Sequence, residues 1–116
     1  MENDIKDLSK IPSVGEIPLN RFGHTIVNIS KIKMCLFGGS VGDSRKLNYT
    51  NETFTFNILT KIWKKIIVKD KDSIPKERAA HAAASNDKGQ MAIYGGSTKS
   101  GGLADDSLYL LILKVQ

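Results

Sequence analysis

The sequence predicts an all-β protein built from two copies of one unit, each a set of four antiparallel strands, and three observations carry that expectation. The first is self-similarity at a fixed spacing. Pro18, Arg21, His24 and the pair Gly38-Gly39 recur as Pro75, Arg78, His81 and Gly95-Gly96, so that 75 − 18 and 95 − 38 both equal 57. A constant offset over several positions is the mark of a repeat architecture. The second is the short apolar run before each glycine pair, Met34-Cys35-Leu36-Phe37 and Met91-Ala92-Ile93-Tyr94. The first run has the length and continuity of a strand buried on both faces, and the second run repeats its place in the order. The third is Thr53-Phe54-Thr55-Phe56, whose alternation predicts a half-buried strand, followed by a turn and Trp63, which opens another.

Taken in order, residues 6–11 align by the offset with the Lys- and Ile-rich run from Trp63 to Val68, so they are expected to form the outer strand of a preceding unit. Pro12 and Val14-Gly15 end it. Thr25 to Ile29 is β-branched and apolar, Asn28 to Lys33 supplies a turn, and the run to Phe37 follows. Ser40 to Thr50, polar and flexible, reads as a loop before Thr53–Phe56. Asn57 to Lys61 turns the chain into the strand opened by Trp63. The second unit repeats the order with Ala82-Ala83-Ala84, a turn at Asn86-Asp87-Lys88-Gly89, the run to Tyr94, a shorter loop from Ser97 to Asp105, and Ser107 to Leu111. Alanine favours helix by propensity, but its repeat position argues for a strand with small side chains. Four short antiparallel strands per roughly 50 residues is the blade of a β-propeller.

The spacing Pro-x-x-Arg-x-x-His, an apolar strand closed by Gly-Gly, an Asn51-Glu52 or Asp105-Asp106 step before an aromatic-containing strand, and Trp63 six residues after Asn57 together resemble the kelch repeat. The likeness covers nearly all of residues 18–113 and implies a kelch-type β-propeller fragment of two four-stranded antiparallel blades. Residues 1–17 are expected to be the outer strand and linker of an adjoining blade, 18–74 the first kelch repeat, and 75–116 a second repeat lacking its outer strand. A closer resemblance lies in Pro75-x-x-Arg78-Ala79-Ala80-His81, Gly95-Gly96 and Gly101-Gly102-Leu103-Ala104-Asp105-Asp106-Ser107-Leu108-Tyr109, which is similar to the N-terminal kelch region of plant and protozoan serine/threonine phosphatases with kelch-like domains. The first repeat departs from it, with Phe22-Gly23 in place of Ala-Ala. The resemblance implies a propeller that docks partners or substrates for a downstream phosphatase carrying two divalent metals of the manganese, iron or zinc type. Other kelch proteins imply other roles: a substrate adaptor of a ubiquitin ligase, or part of a propeller enzyme.

Composition narrows the function classes. Hydrophobic and charged fractions of 41% and 25% are those of an ordinary globular domain, and no apolar run is long enough to span a membrane as a helix. The start, MENDIKDLSK, lacks the basic segment and apolar core of a secretory signal, and a lone Cys35 cannot form an internal bridge. An intracellular place, cytoplasmic or nuclear, is therefore expected, and the sequons at Asn28, Asn48 and Asn51 reflect an Asn-rich chain. The net charge of +5 invites nucleic acid. The basic residues are mostly scattered lysines with no basic helical face or stacking platform, which argues against it. Lysines on strand edges also discourage edge-to-edge association.

No cofactor is expected in this chain, nor catalysis. His24 and His81 are chemically able bases and ligands, but equivalent repeat positions lie a blade apart instead of converging, and packing within a blade is the expected role. Asp105-Asp106 fits turn chemistry better than a cation site, which needs further ligands. The chain also lacks the Gly-Asp-x-His and Gly-Asn-His-Glu runs with which the phosphatase family holds its metals. Gly38, Gly39, Gly95 and Gly96 lack the Lys-Ser/Thr of a phosphate loop and serve to end strands. Trp63 is expected between blades, and Cys35, inside an apolar strand, is expected to be inert.

The arginines are the functional candidates. In an up-and-down blade the loop joining strands two and three lies on the same side as the connection between blades. Arg45 falls in the former and Arg21 and Arg78 end the latter, so all three are expected to approach one face, where guanidinium forks suit acidic or phosphorylated protein partners. The competing role for Arg21 and Arg78 is to hold adjacent blades together, since repeats preserve interface residues first. Counting strands gives one loose outer strand at 6–11, a complete blade, and three strands lacking their outer member. Two blades cannot close, and three copies can, so self-association as a cyclic trimer is expected.

Overall fold

The computed structural model describes residues 7–43 and 45–113, and the protein is all-β. The first blade is a sheet in which β3 (Thr25–Asn28), β4 (Lys33–Phe37), β7 (Thr53–Asn57) and β8 (Ile62–Ile66) pair antiparallel in that spatial order. The second blade has β9 (Ala82–Ser85), β10 (Gln90–Tyr94) and β11 (Tyr109–Ile112), with β11 at its edge. These seven strands fall within two residues of the spans expected from periodicity. The alanine run is a strand, as its repeat position requires, because β9 lies against β3 and small side chains let the two blades approach.

Three differences from expectation have physical causes. Residues 7–11 lie in no strand; residue 6 is outside the described residues. The N-terminal strand is instead β1 (Val14–Gly15), which runs parallel along β8 of its own blade, with Glu16 N–H donating to the Trp63 carbonyl at 2.9 Å and Glu16 Oε1 accepting from Lys65 N–H at 2.9 Å. The segment expected as a loop holds a hairpin, β5 (Ser40–Asp43) and β6 (Lys46–Tyr49), to which β2 (Arg21–Phe22) adds a third strand. Finally, β7 is buried on both faces. Its two threonines pair with Cys35 and Phe37 on the side that blade 2 covers, while Phe54 and Phe56 pack on the other.

The core lies between the blades. Ile29, Cys35 and Phe37 of blade 1 meet Met91 and Ile93 of blade 2, with Val27, Ile74, Ala83, Tyr109, Leu111 and Leu113 around them. Backbone bonds sew the same seam: Gly89 N–H to the Ile29 carbonyl at 2.9 Å and Gly39 N–H to the Arg78 carbonyl at 2.9 Å. The Ser85 hydroxyl also donates to the Asn28 carbonyl. Apolar burial drives this packing. Blade 2 exposes Tyr94, Leu110 and Ile112 on the face turned away from the seam, whereas on the outer face of blade 1 Phe54 and Phe56 are buried beneath Arg21 and Trp63.

Candidate functional site

Arg21 and Arg78 occupy equivalent places, and both are turned inward. Arg21 donates from Nε to the Leu19 carbonyl at 3.1 Å, from Nη1 to the Gly38 carbonyl at 3.2 Å and from Nη2 to Glu52 Oε1 at 3.2 Å, and its guanidinium lies 5.2 Å from the Phe54 ring centre. Arg78 repeats this with Lys76 at 3.0 Å, Gly95 at 3.1 Å, Asp105 Oδ1 at 3.9 Å and the Tyr109 ring at 5.2 Å. Their side chains are 3% and 1% exposed. Each fork fixes the carbonyl of the first glycine of its pair and the acidic step before the third strand, which is the use a planar five-donor group has inside a blade. The structure therefore separates the three expected arginines: Arg45 is exposed, while Arg21 and Arg78 have no surface to offer a partner.

The acidic partners answer in kind. Burial pushes the Glu52 carboxyl up, but Lys65 at 3.1 Å and Arg21 outweigh it and hold the group below the usual carboxylate range. Asp105 is lowered chiefly by the hydroxyl of Tyr109, which donates to it at 2.7 Å and whose own ionisation is raised in return. Asp105 also accepts from Ser107 N–H at 3.2 Å, the turn chemistry expected of the Asp105-Asp106 step.

The histidines do not converge. His81 is buried at the seam, its Nε2 2.8 Å from Thr25 Oγ1 and its ring edge-on to Phe37 at 5.4 Å, whereas His24 is exposed on the opposite side of blade 1. Burial, with the Arg78 charge second, pushes the His81 imidazole below its ordinary value. Gly38 and Gly39 show why the glycine pair recurs. Their φ angles of 72° and 100° are left-handed, and a Cβ on Gly38 would come within 2.9 Å of the His81 ring and 3.0 Å of the Arg78 carbonyl. Gly95 and Gly96 repeat the angles, 79° and 97°. Trp63, expected between the blades, packs instead on the outer side of blade 1, its ring 4.8 Å from that of Phe56 and tilted 45° to it. Burial drives the Cys35 thiol up to about 12.

What the sequence did not reveal is a groove at the blade seam. A cavity of about 450 Å³ is lined by Asn48 and Tyr49 of the β5–β6 hairpin, Lys76 and Glu77 of the inter-blade connection, and Thr98, Lys99 and Ser100 of the blade 2 loop. The Ser97 hydroxyl, 3.5 Å from the Tyr49 hydroxyl, ties the two loops together. The topological part of the expectation thus stands: the loops joining strands two and three and the connection between blades do share one side, and lysines line it in place of Arg21 and Arg78. The missing signal was the hairpin, without which Asn48 and Tyr49 have no defined position.

Among the described residues no group of three or more His, Cys, Asp or Glu side chains is placed to hold a metal ion. No helix among them is long and apolar enough to cross a membrane. A family model, the KLHDC2/KLHL20/DRC7 Kelch-repeats domain, matches residues 2–116. This chain belongs to the KLHDC2/KLHL20/DRC7 Kelch-repeats domain family.

Proposed function

We propose that the chain is a docking segment whose partner surface is the loop side of the two blades, and that the partner presents acidic or phosphorylated side chains. Kelch repeats are typically protein-interaction domains without catalytic function of their own, and the observation that supports this surface is the seam groove. It is concave, its lining residues all carry polar or charged groups, and Lys76 and Lys99 come to it from two different segments beside one carboxylate, Glu77. Exposed Arg45 lies on the same hairpin that supplies Asn48 and Tyr49. Ammonium groups with hydroxyls and an amide beside them suit a carboxylate or phosphate better than an apolar ligand.

The resemblance of residues 75–109 to phosphatase-associated kelch repeats supports a parent in which this segment delivers substrates to a two-metal phosphatase domain. The family match is equally compatible with a substrate adaptor of a ubiquitin ligase. Both demand the same of this chain, a peptide-docking face. Fluorescence anisotropy with a labelled phosphoserine peptide, its Asp counterpart and its unmodified Ser form tests it. The charged forms are expected to bind in a salt-dependent way, and Lys99→Ala or Arg45→Ala to weaken them about fivefold, the worth of one exposed ionic contact. Equal binding of all three peptides would overturn the reading. The chain alone is expected to show no turnover of aryl phosphates with added Mn²⁺; activity that copurifies with it would refute its non-catalytic role.

A further inference from the structure

We infer that the two open flanks of this molecule are complementary to one another and that a second copy of the chain docks head to tail across them. The template is the interface already inside the molecule, where Val27, Cys35 and Phe37 of blade 1 face Ala83, Met91 and Ile93 of blade 2. Adding the repeat offset of 57 to the first set gives Ala84, Ala92 and Tyr94, on the side of blade 2 turned away from blade 1. Subtracting it from the second gives Ile26, Met34 and Leu36, on the side of blade 1 turned away from blade 2. Each open flank is therefore the repeat counterpart of a surface whose partner is known, and the partner's counterpart is the other flank.

Both flanks carry exposed apolar side chains, although Leu36 on blade 1 is itself buried, at 5% exposed, and Ile26 at 44% is the exposed member of its set. On blade 2, Tyr94, Leu108, Leu110 and Ile112 are 48%, 71%, 55% and 72% exposed. On blade 1, a groove of about 320 Å³ runs between Ile17, Leu19, His24, Ile26, Leu36 and Trp63. Contiguous exposed apolar surface of this kind marks an interaction site. Sizes also match: the bulkier Val27 and small Ala83 share the internal seam, and across the flanks small Ala84 would meet bulkier Ile26. One bond does not carry over, because the counterparts of His81 and Thr25 are His24 and Ala82, and a methyl cannot pair with an imidazole. The contact between copies is thus a weaker version of the internal one and dissociates first. Two different patches in contact make a heterologous interface, of which the three-copy ring expected from strand counting is a closed form.

Sedimentation equilibrium of the folded chain is expected to show a mass of two or more 12.7 kDa chains that falls on dilution. Ile26→Asp removes one flank and Tyr94→Asp the other; each alone is expected to be monomeric with an unchanged circular dichroism spectrum. Mixed, they are expected to form a heterodimer, since each retains the flank its partner lacks. Leu110→Asp, at another exposed position on the blade 2 flank, is expected to behave as Tyr94→Asp and replaces it should that variant misfold. A monomeric wild-type chain would overturn the inference, as would either variant still pairing with itself.

Discussion

In each blade a buried arginine ties the first carbonyl of a glycine pair to the acidic residue before the third strand, so the arginine acts on the fold rather than on a partner. Arg78→Ala strips donors from buried carbonyls and is expected to lower unfolding free energy in urea by roughly 2–4 kcal/mol. Arg45→Ala, at an exposed position, is expected to change it by no more than about 1 kcal/mol, the usual range for an exposed contact. His81 supplies a pH dependence with a definite sign. Its folded value lies below the ordinary 6.5 while the unfolded chain titrates near 6.5, so its contribution is full above about pH 6.5 and lost as the pH falls from there through the folded value. Urea midpoints between pH 7.5 and 5 should fall in the wild type and fall less in His81→Gln. Cys35, with its thiol near 12, is expected to resist iodoacetamide at pH 8 until urea unfolds the chain. These roles were partly legible beforehand: the recurrence of Arg21 and Arg78 at one offset pointed to structure, but nothing in the spacing showed that the fork would close on its own blade.

At the scale of elements, strands defined by burial were readable and strands defined by pairing alone were not. Met34–Phe37 and Met91–Tyr94 announce themselves as continuous apolar runs, although β10 is buried on one face only and turns Tyr94 to the other. The β5–β6 hairpin has no such pattern: Lys46, Leu47 and Asn48 are exposed, and its strands are held by backbone bonds and by β2. The parallel β1 escaped for the same reason, with two residues and no side-chain periodicity. The Phe22-Gly23 departure from the second repeat also has a structural meaning. Gly23 and its counterpart Ala80 both adopt left-handed φ, 72° and 61°, where alanine is strained. Ala80→Gly is accordingly expected to stabilise the protein by roughly 0.5–1 kcal/mol, after the extra entropy of an unfolded glycine is deducted, a gain that differential scanning calorimetry would register as a higher midpoint. Gly15→Ala should do the reverse locally. A Cβ there would sit 2.4 Å from the Trp63 carbonyl, so β1 is expected to leave β8 and shift Trp63 emission while the rest of blade 1 persists.

For the molecule as a whole, the repeat offset made the two blades and their seam legible, while the identity of what meets the outer faces lay beyond it, because equivalence between repeats describes a surface and not its occupant. The blades are also unequal. Blade 1 has four antiparallel strands with β1 added outside them, and blade 2 ends at β11, beyond which no strand lies among the described residues. Stability in repeat arrays is a sum of unit and neighbour terms, so this asymmetry becomes an asymmetry in time. Amides of β4 and β7, each flanked by strands on both sides, should exchange with deuterium only through global opening, whereas those of β11 exchange by local fraying. The two repeats, alike in sequence, would then keep different clocks, with blade 2 opening and reclosing many times for each unfolding of blade 1.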